Sequence, residues 1–195
     1  MTQDELLQII EKAAADEVTE LDLSGHDLTE LPPEIGQLTE LETLILGKKE
    51  KGKYLGNRLT HLPVEISLLK KLKVLQAPGN WRHKYVPSET PGNQLSALPA
   101  EIVQLTNLQQ LDLSANQLSA LPAEIVQLIN LQQLYLSENQ LSALPAEIVQ
   151  LTNLQQLDLR ANQLSALPAE IVQLTNLQQL DLSANQLSAL PAEIV

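Results

Sequence analysis

The residues with the most evident chemical potential lie in one stretch, Gly47-Lys48-Lys49-Glu50-Lys51-Gly52-Lys53-Tyr54, which nearly spells the phosphate-cradling loop GxxxxGK[ST]. Such a loop wraps backbone amides around a phosphate, places a lysine on it and a hydroxyl on magnesium, and opens into a helix whose N-terminus faces the anion. Here Tyr54 stands where the magnesium-binding Ser or Thr belongs, and Leu55-Gly56-Asn57-Arg58-Leu59 follows in place of a helix. Nucleotide chemistry is therefore rejected, and weak attraction of anions through Lys48 to Arg58 is the use that remains. His26, His61 and His83 are scattered and cysteine is absent, so no metal-ligand spacing exists. Asp112, Asp158 and Asp181 recur in step and suggest paired carboxylates or a calcium shelf, but Tyr135 interrupts the series. No nucleophile stands beside a base. The expectation is a chain with no catalytic residue, no metal and no cofactor.

Charge points to binding instead. Ten bases (Lys48, Lys49, Lys51, Lys53, Arg58, Lys70, Lys71, Lys73, Arg82, Lys84) face only Glu50 and Glu65 between Lys48 and Lys84. Residues 1–47 hold 1 base against 12 acids, and residues 85–195 hold 1 against 10. The formal net charge of -12 and the acidic flanks disfavour an extended polyanion, so nucleic acid is not an expected partner. The basic band also carries Trp81, the single tryptophan, with Tyr54 and Tyr85, and Arg, Trp and Tyr are the types that dominate interface energy. A compact, acidic protein partner contacting Lys48, Lys49, Lys51, Lys53, Tyr54, Arg58, Trp81, Arg82, Lys84 and Tyr85 is one reading. The other is that Trp81 and Tyr85 pack the segment onto the rest of the protein while the lysines keep it soluble.

What positions these residues is a repeat. Leucine fills 43 of 195 positions and phenylalanine none, so the core is aliphatic. LTNLQQLDLSANQLSALPAEIVQ, from Leu105 to Gln127, recurs with a period of 23. Leu21, Leu44, Leu75, Leu111, Leu134, Leu157 and Leu180 mark seven units, two of which carry insertions at 49–56 and 80–92. Period-two alternation around Leu111 and Leu113 predicts a short strand, and Leu121-Pro122 with Ile125 predicts a turn or 3₁₀ piece on the return. One unit cannot hide its leucines alone, whereas stacked units bury them in a continuous spine beside a parallel sheet.

Asn57, Asn93, Asn116, Asn139, Asn162 and Asn185 fall where the chain leaves the strand, and a side-chain amide there can serve backbone groups that lose their ladder partners. These are expected to be structural. In the first unit His26 takes that slot. The outward face of the strands reads as a solvated Gln/Asp/Ser ladder, and Tyr135 and Arg160 interrupt it as candidate partner contacts. The two insertions emerge from successive units at one rim and are expected as loops able to pack together.

Thr2-Gln3-Asp4-Glu5 is a capping box that opens a helix within residues 1–17, with Leu6, Leu7, Ile9, Ile10, Ala13 and Ala14 on the face that covers the first unit. At the other end LPAEIV stops in mid-unit, with the expectation that the natural protein continues. Without cysteine, a secretory signal or an apolar run of membrane-spanning length, the chain is expected in the cytoplasm.

The pattern LxxLxxLxLxxNxL followed by LPxEI, running from about Val18 to Val195, resembles the leucine-rich repeat family. That resemblance implies an α/β solenoid, a horseshoe with parallel strands on its concave side, and a trade in binding other macromolecules. The opening MTQDELLQIIEKAAADEVTELDLSGHDLTELPPEIGQL is similar to the repeat domain of bacterial Roco proteins. It implies a sensing or regulatory arm of a larger Ras-like GTPase, whose partners include its own downstream domains. A structural spacer or a free-standing adaptor is the alternative.

Overall fold

A computed structural model describes residues 1–50, 53–79 and 92–191. Among them, seven three-residue strands form one parallel sheet: Glu20–Asp22 (β1), Thr43–Ile45 (β2), Val74–Gln76 (β5), Gln110–Asp112 (β6), Gln133–Tyr135 (β7), Gln156–Asp158 (β8) and Gln179–Asp181 (β9). The marker leucines meet across it, with Leu21 beside Leu44, Leu44 beside Leu75, and so on to Leu157 beside Leu180. The first six of these strands each lead to a 3₁₀ segment such as Ala123–Gln127, entered from a proline whose fixed φ sets the turn, as Pro122 does at φ -61. The third residue of each segment, Ile35, Ile66, Ile102, Ile125, Ile148 or Ile171, points into the leucine core. This is the expected repeat solenoid.

The first helix, Gln3–Ala15 (α1), closes the spine. Thr2 Oγ1 accepts from the Glu5 amide at 3.2 Å, and Glu5 accepts from the Thr2 amide at 2.7 Å. The helix stops through a pair of back-turning bonds, Val18 N to Ala13 O and Glu17 N to Ala14 O, with Glu17 held at φ 49 where glycine is the usual choice. Leu6, Ile10 and Ala13 are buried against the first repeats, whereas Ile9, expected on the same face, is exposed. The covering stripe is thus narrower than the apolar composition of α1 implies.

The first insertion corrects the loop reading. Lys48–Glu50 (β3) and Lys53–Leu55 (β4) pair antiparallel, Lys49 opposite Tyr54. The hairpin leans on the first repeat: Gly25 N donates to Gly56 O, and Gly25, at φ +73, lies against Leu55. The second insertion, with Trp81, Arg82, Lys84 and Tyr85, lies outside the described residues, as does Lys51. Among the described residues no helix is long and apolar enough to cross a membrane.

Candidate functional site

The strand exits repeat one device along the stack. Asp22, Asp112, Asp158 and Asp181 each accept, through Oδ1, the amide two residues on, from Ser24, Ser114, Arg160 and Ser183 at 2.9–3.0 Å. The residue after that, Gly25, Ala115, Ala161 or Ala184, takes positive φ. These aspartates therefore hold the backbone corner of their own repeat. Among the described residues no group of three His, Cys, Asp or Glu side chains is placed to hold a metal ion.

The structural asparagines work one step further on. Asn139 Nδ2 donates to Leu113 O and Leu136 O, both at 3.0 Å, and its Oδ1 accepts from Leu118 N at 3.0 Å. One side chain thereby ties two repeats. Asn116, Asn162 and Asn185 repeat the arrangement, and Asn93 bonds Leu46 O, Pro78 O and Leu59 N. His26 breaks the pattern in the first repeat, and Asn57 serves it from the second by accepting from the His26 and Leu28 amides and donating to Leu23 O and Leu46 O. A second amide ladder stands at an unspecified x position of the leucine motif, where no residue type is required: Asn107, Asn130, Asn153 and Asn176 each donate to a carbonyl of the preceding repeat at 2.7–2.8 Å.

The basic band looks different in space. Lys48 pairs with Asp22, Arg58 with Asp27, Lys71 with Glu40, and Lys73 with Glu42 at 2.7 Å. Lys49 sits over the Tyr54 ring, 5.4 Å from its centre, and Lys70 donates to Gln104 Oε1. Lys48, Arg58, Lys71 and Lys73 therefore face acids of the preceding repeat, which the linear charge count could not show. Burial works to raise the Asp22 carboxyl's pKa, yet hydrogen bonds from Lys48 and Ser24 outweigh it and hold the group below its ordinary range. Lys53 opens β4 opposite Glu50.

On the concave side one row runs Asp22, Ile45, Gln76, Asp112, Tyr135, Asp158, Asp181, each beside the next in register. The solvated-ladder reading fails at its centre. Ser114 and Ser137 are buried with their hydroxyls 3.3 Å apart, and burial pushes the Asp112 carboxyl above its ordinary pKa. Tyr135 takes the place of a corner-forming aspartate. Its hydroxyl lies 2.6 Å from Gln156 Oε1 and 3.2 Å from Gln133 Oε1, so the ring is tethered at its tip, half-buried, with Asp112 and Asp158 its neighbours in register. Burial, with the two carboxylates beside it, raises its pKa. Arg160 reaches Asp158 at 3.5 Å and Asp181 at 4.0 Å. The structure thus brings Tyr135 and Arg160 together on one patch, and an open hollow beside it is walled by Tyr135, Gln156, Asp158, Gln179 and Asp181.

Residues 91–141 and 129–187 match the family model described as leucine rich repeat. A solved leucine-rich repeat protein of Leptospira interrogans is 37% identical over 94% of this chain, with a TM-score of 0.59. The chain belongs to the leucine-rich repeat family. This leucine-rich repeat chain spans 54% of the Leptospira protein it matches. No curated protein matches it. In leucine-rich repeat terms the Asp112–Asp181 segment is the concave face of four successive units, and the β3–β4 hairpin is a rim insertion.

Proposed function

We propose that this leucine-rich repeat chain is a protein-binding module whose contact patch is the concave face from β6 to β9, centred on Tyr135 and Arg160. The observation that carries the reading is Tyr135. The row uses aspartate at β6, β8 and β9 to fix the strand exit, and β7 forgoes that bond for a phenol tethered by its hydroxyl to Gln156 on the open sheet. A half-buried aromatic with a fixed ring, beside an arginine, is the composition of an interface anchor. Leucine-rich repeats serve protein–protein contact generally, which agrees with this reading.

The test is retention of partners from lysate of the native host by the immobilised chain, compared with Tyr135→Ala. The expected result is about a tenfold or greater loss of the retained protein with an unchanged melting transition. Equal retention by both would remove Tyr135 from the interface.

The larger setting proposed for the module is the sensing arm of a Roco-like GTPase, on the likeness of residues 1–38. Its downstream domains would then be among the partners. Reading the native gene past the codon for Val195 tests this: a GxxxxGK[ST] loop on a strand-to-helix unit supports it, and a stop codon soon after a polar capping repeat makes the chain a free-standing adaptor.

A further inference from the structure

The cations of this chain reveal what its concave row attracts. Asp22, at one end of the row, is taken by the Lys48 ammonium, and Asp158 and Asp181, at the other end, share the Arg160 guanidinium. Wherever a basic side chain of the protein itself reaches the row, it settles on an aspartate. Asp112 is the exception. Among the described residues no cation pairs with it, and its hydrogen bonds come from Ser114, whose amide it accepts at 2.9 Å. The neighbours in register are Gln76 on one side and Tyr135 on the other, with Asp158 one strand further.

A partly buried carboxylate favours a cation through ion pairing in a medium less polar than water, and the half-buried phenol ring beside it gives apolar contact to the stem of a lysine or arginine. Charge at longer range acts in the same direction. Residues 92–191 contain one basic residue, Arg160, against eight acids (Glu101, Asp112, Glu124, Glu138, Glu147, Asp158, Glu170, Asp181), while Lys48, Arg58, Lys71 and Lys73 of the basic band are paired within the N-terminal repeats. An acidic partner therefore meets four cations already engaged, and a basic one meets a surface of net negative charge.

Resting on the concave-face reading above, we infer that the strip from Asp112 across Tyr135 receives a lysine or arginine side chain of a basic protein segment laid along the sheet. Arg160, already bridging Asp158 and Asp181, marks the spacing such a side chain finds two repeats away.

The experiment selects a random peptide library on the immobilised full chain and measures the enriched peptides against three variants. Asp112→Asn keeps an acceptor for the Ser114 amide and removes the charge. Glu124→Gln makes the same charge change on the 3₁₀ side, and Tyr135→Ala removes the ring. Enriched peptides that are net basic, that lose about tenfold or more in affinity to Asp112→Asn and less than about twofold to Glu124→Gln, support the inference. Neutral or acidic peptides, or equal losses on both charge variants, overturn it. Loss on Tyr135→Ala without loss on Asp112→Asn overturns the cationic occupant and leaves the concave face standing. Indifference to all three overturns the face as well. A thermal melt of each variant separates a lost contact from a lost fold.

Discussion

Asp27 and Arg58 hold the same position in consecutive repeats and pair with each other, where later repeats set Gln94 and Gln117 side by side. Glu40 with Lys71 stands where Asn107 and Asn130 form an amide ladder, and Glu42 with Lys73 stands where Gln109 and Gln132 follow. The acidic start and basic band are thus one structural device: opposite charges replace stacked amides at the first repeat junctions. All these side chains are about half exposed, so each pair contributes little beyond what an amide contact gives.

The first prediction follows from that equivalence. Replacing Asp27 by Asn, which suits its φ of 60, and Arg58 by Gln, the residue type of the later repeats, should change stability by less than about 1 kcal/mol. The stability should also become less sensitive to salt. Urea unfolding at low and high ionic strength measures both, and a loss of several kcal/mol would show that the ion pair does what an amide cannot.

Asn139→Ala should be far more damaging. It leaves Leu113 O, Leu136 O and Leu118 N without their buried partner, at a cost of about 3 kcal/mol or more. Asn185→Ala, at a more exposed position with the same bonding, should cost less. The order of the two denaturation midpoints is the check.

Much of this was legible in the sequence, for definite reasons. The period of 23 fixes which leucines share a spine, because a strand-and-turn unit can bury its apolar face only against a copy of itself. The slot of Asn116 and Asn139 is visible because it lies inside that motif. The hairpin at Lys48–Leu55 was not, since Lys-Lys-Glu-Lys-Gly-Lys has neither apolar alternation nor a strong turn pair to announce strands. Nor were the pairs Asp27–Arg58 and Glu40–Lys71, whose members are 31 residues apart and meet only when the insertion between them is subtracted. Tyr135 was marked as an irregularity, but its hydrogen bond to Gln156 depends on the register of β7 with β8.

Backbone geometry gives a pair of opposite predictions. A Cβ at Gly79 would lie 1.9 Å from Ala115 O and 2.5 Å from Asn93 O, so Gly79→Ala must push two backbones apart and should cost about 2–3 kcal/mol. Ala161, in contrast, occupies the left-handed region at φ 53, and Ala161→Gly should stabilise by about 0.5–1 kcal/mol. Thermal melts should move in opposite directions.

The Asp112 carboxyl predicts a pH dependence. Burial foremost, with Asp158 adding to it, raises its pKa above the ordinary 3.8, against the opposing bonds from Ser114. The folded state therefore binds this proton more tightly than the unfolded one. Its contribution to stability is complete below 3.8 and is lost as pH rises through the raised value. Unfolding free energy of the native chain minus that of Asp112→Asn should fall as pH climbs from below 3.8 towards neutrality. A difference that rises with pH would mean the ionised carboxylate is favoured by the fold.

The concave-face claim is tested most directly by a photo-crosslinking residue placed in living native cells at Gln179, on the concave side, or at Gln173, in the 3₁₀ segment of the same repeat. Both positions are exposed, so access to solvent is matched. A discrete protein adduct from Gln179 that disappears with Tyr135→Ala, and no such adduct from Gln173, is the predicted result. Adducts from Gln173 alone, or a Gln179 adduct indifferent to Tyr135, would contradict the account.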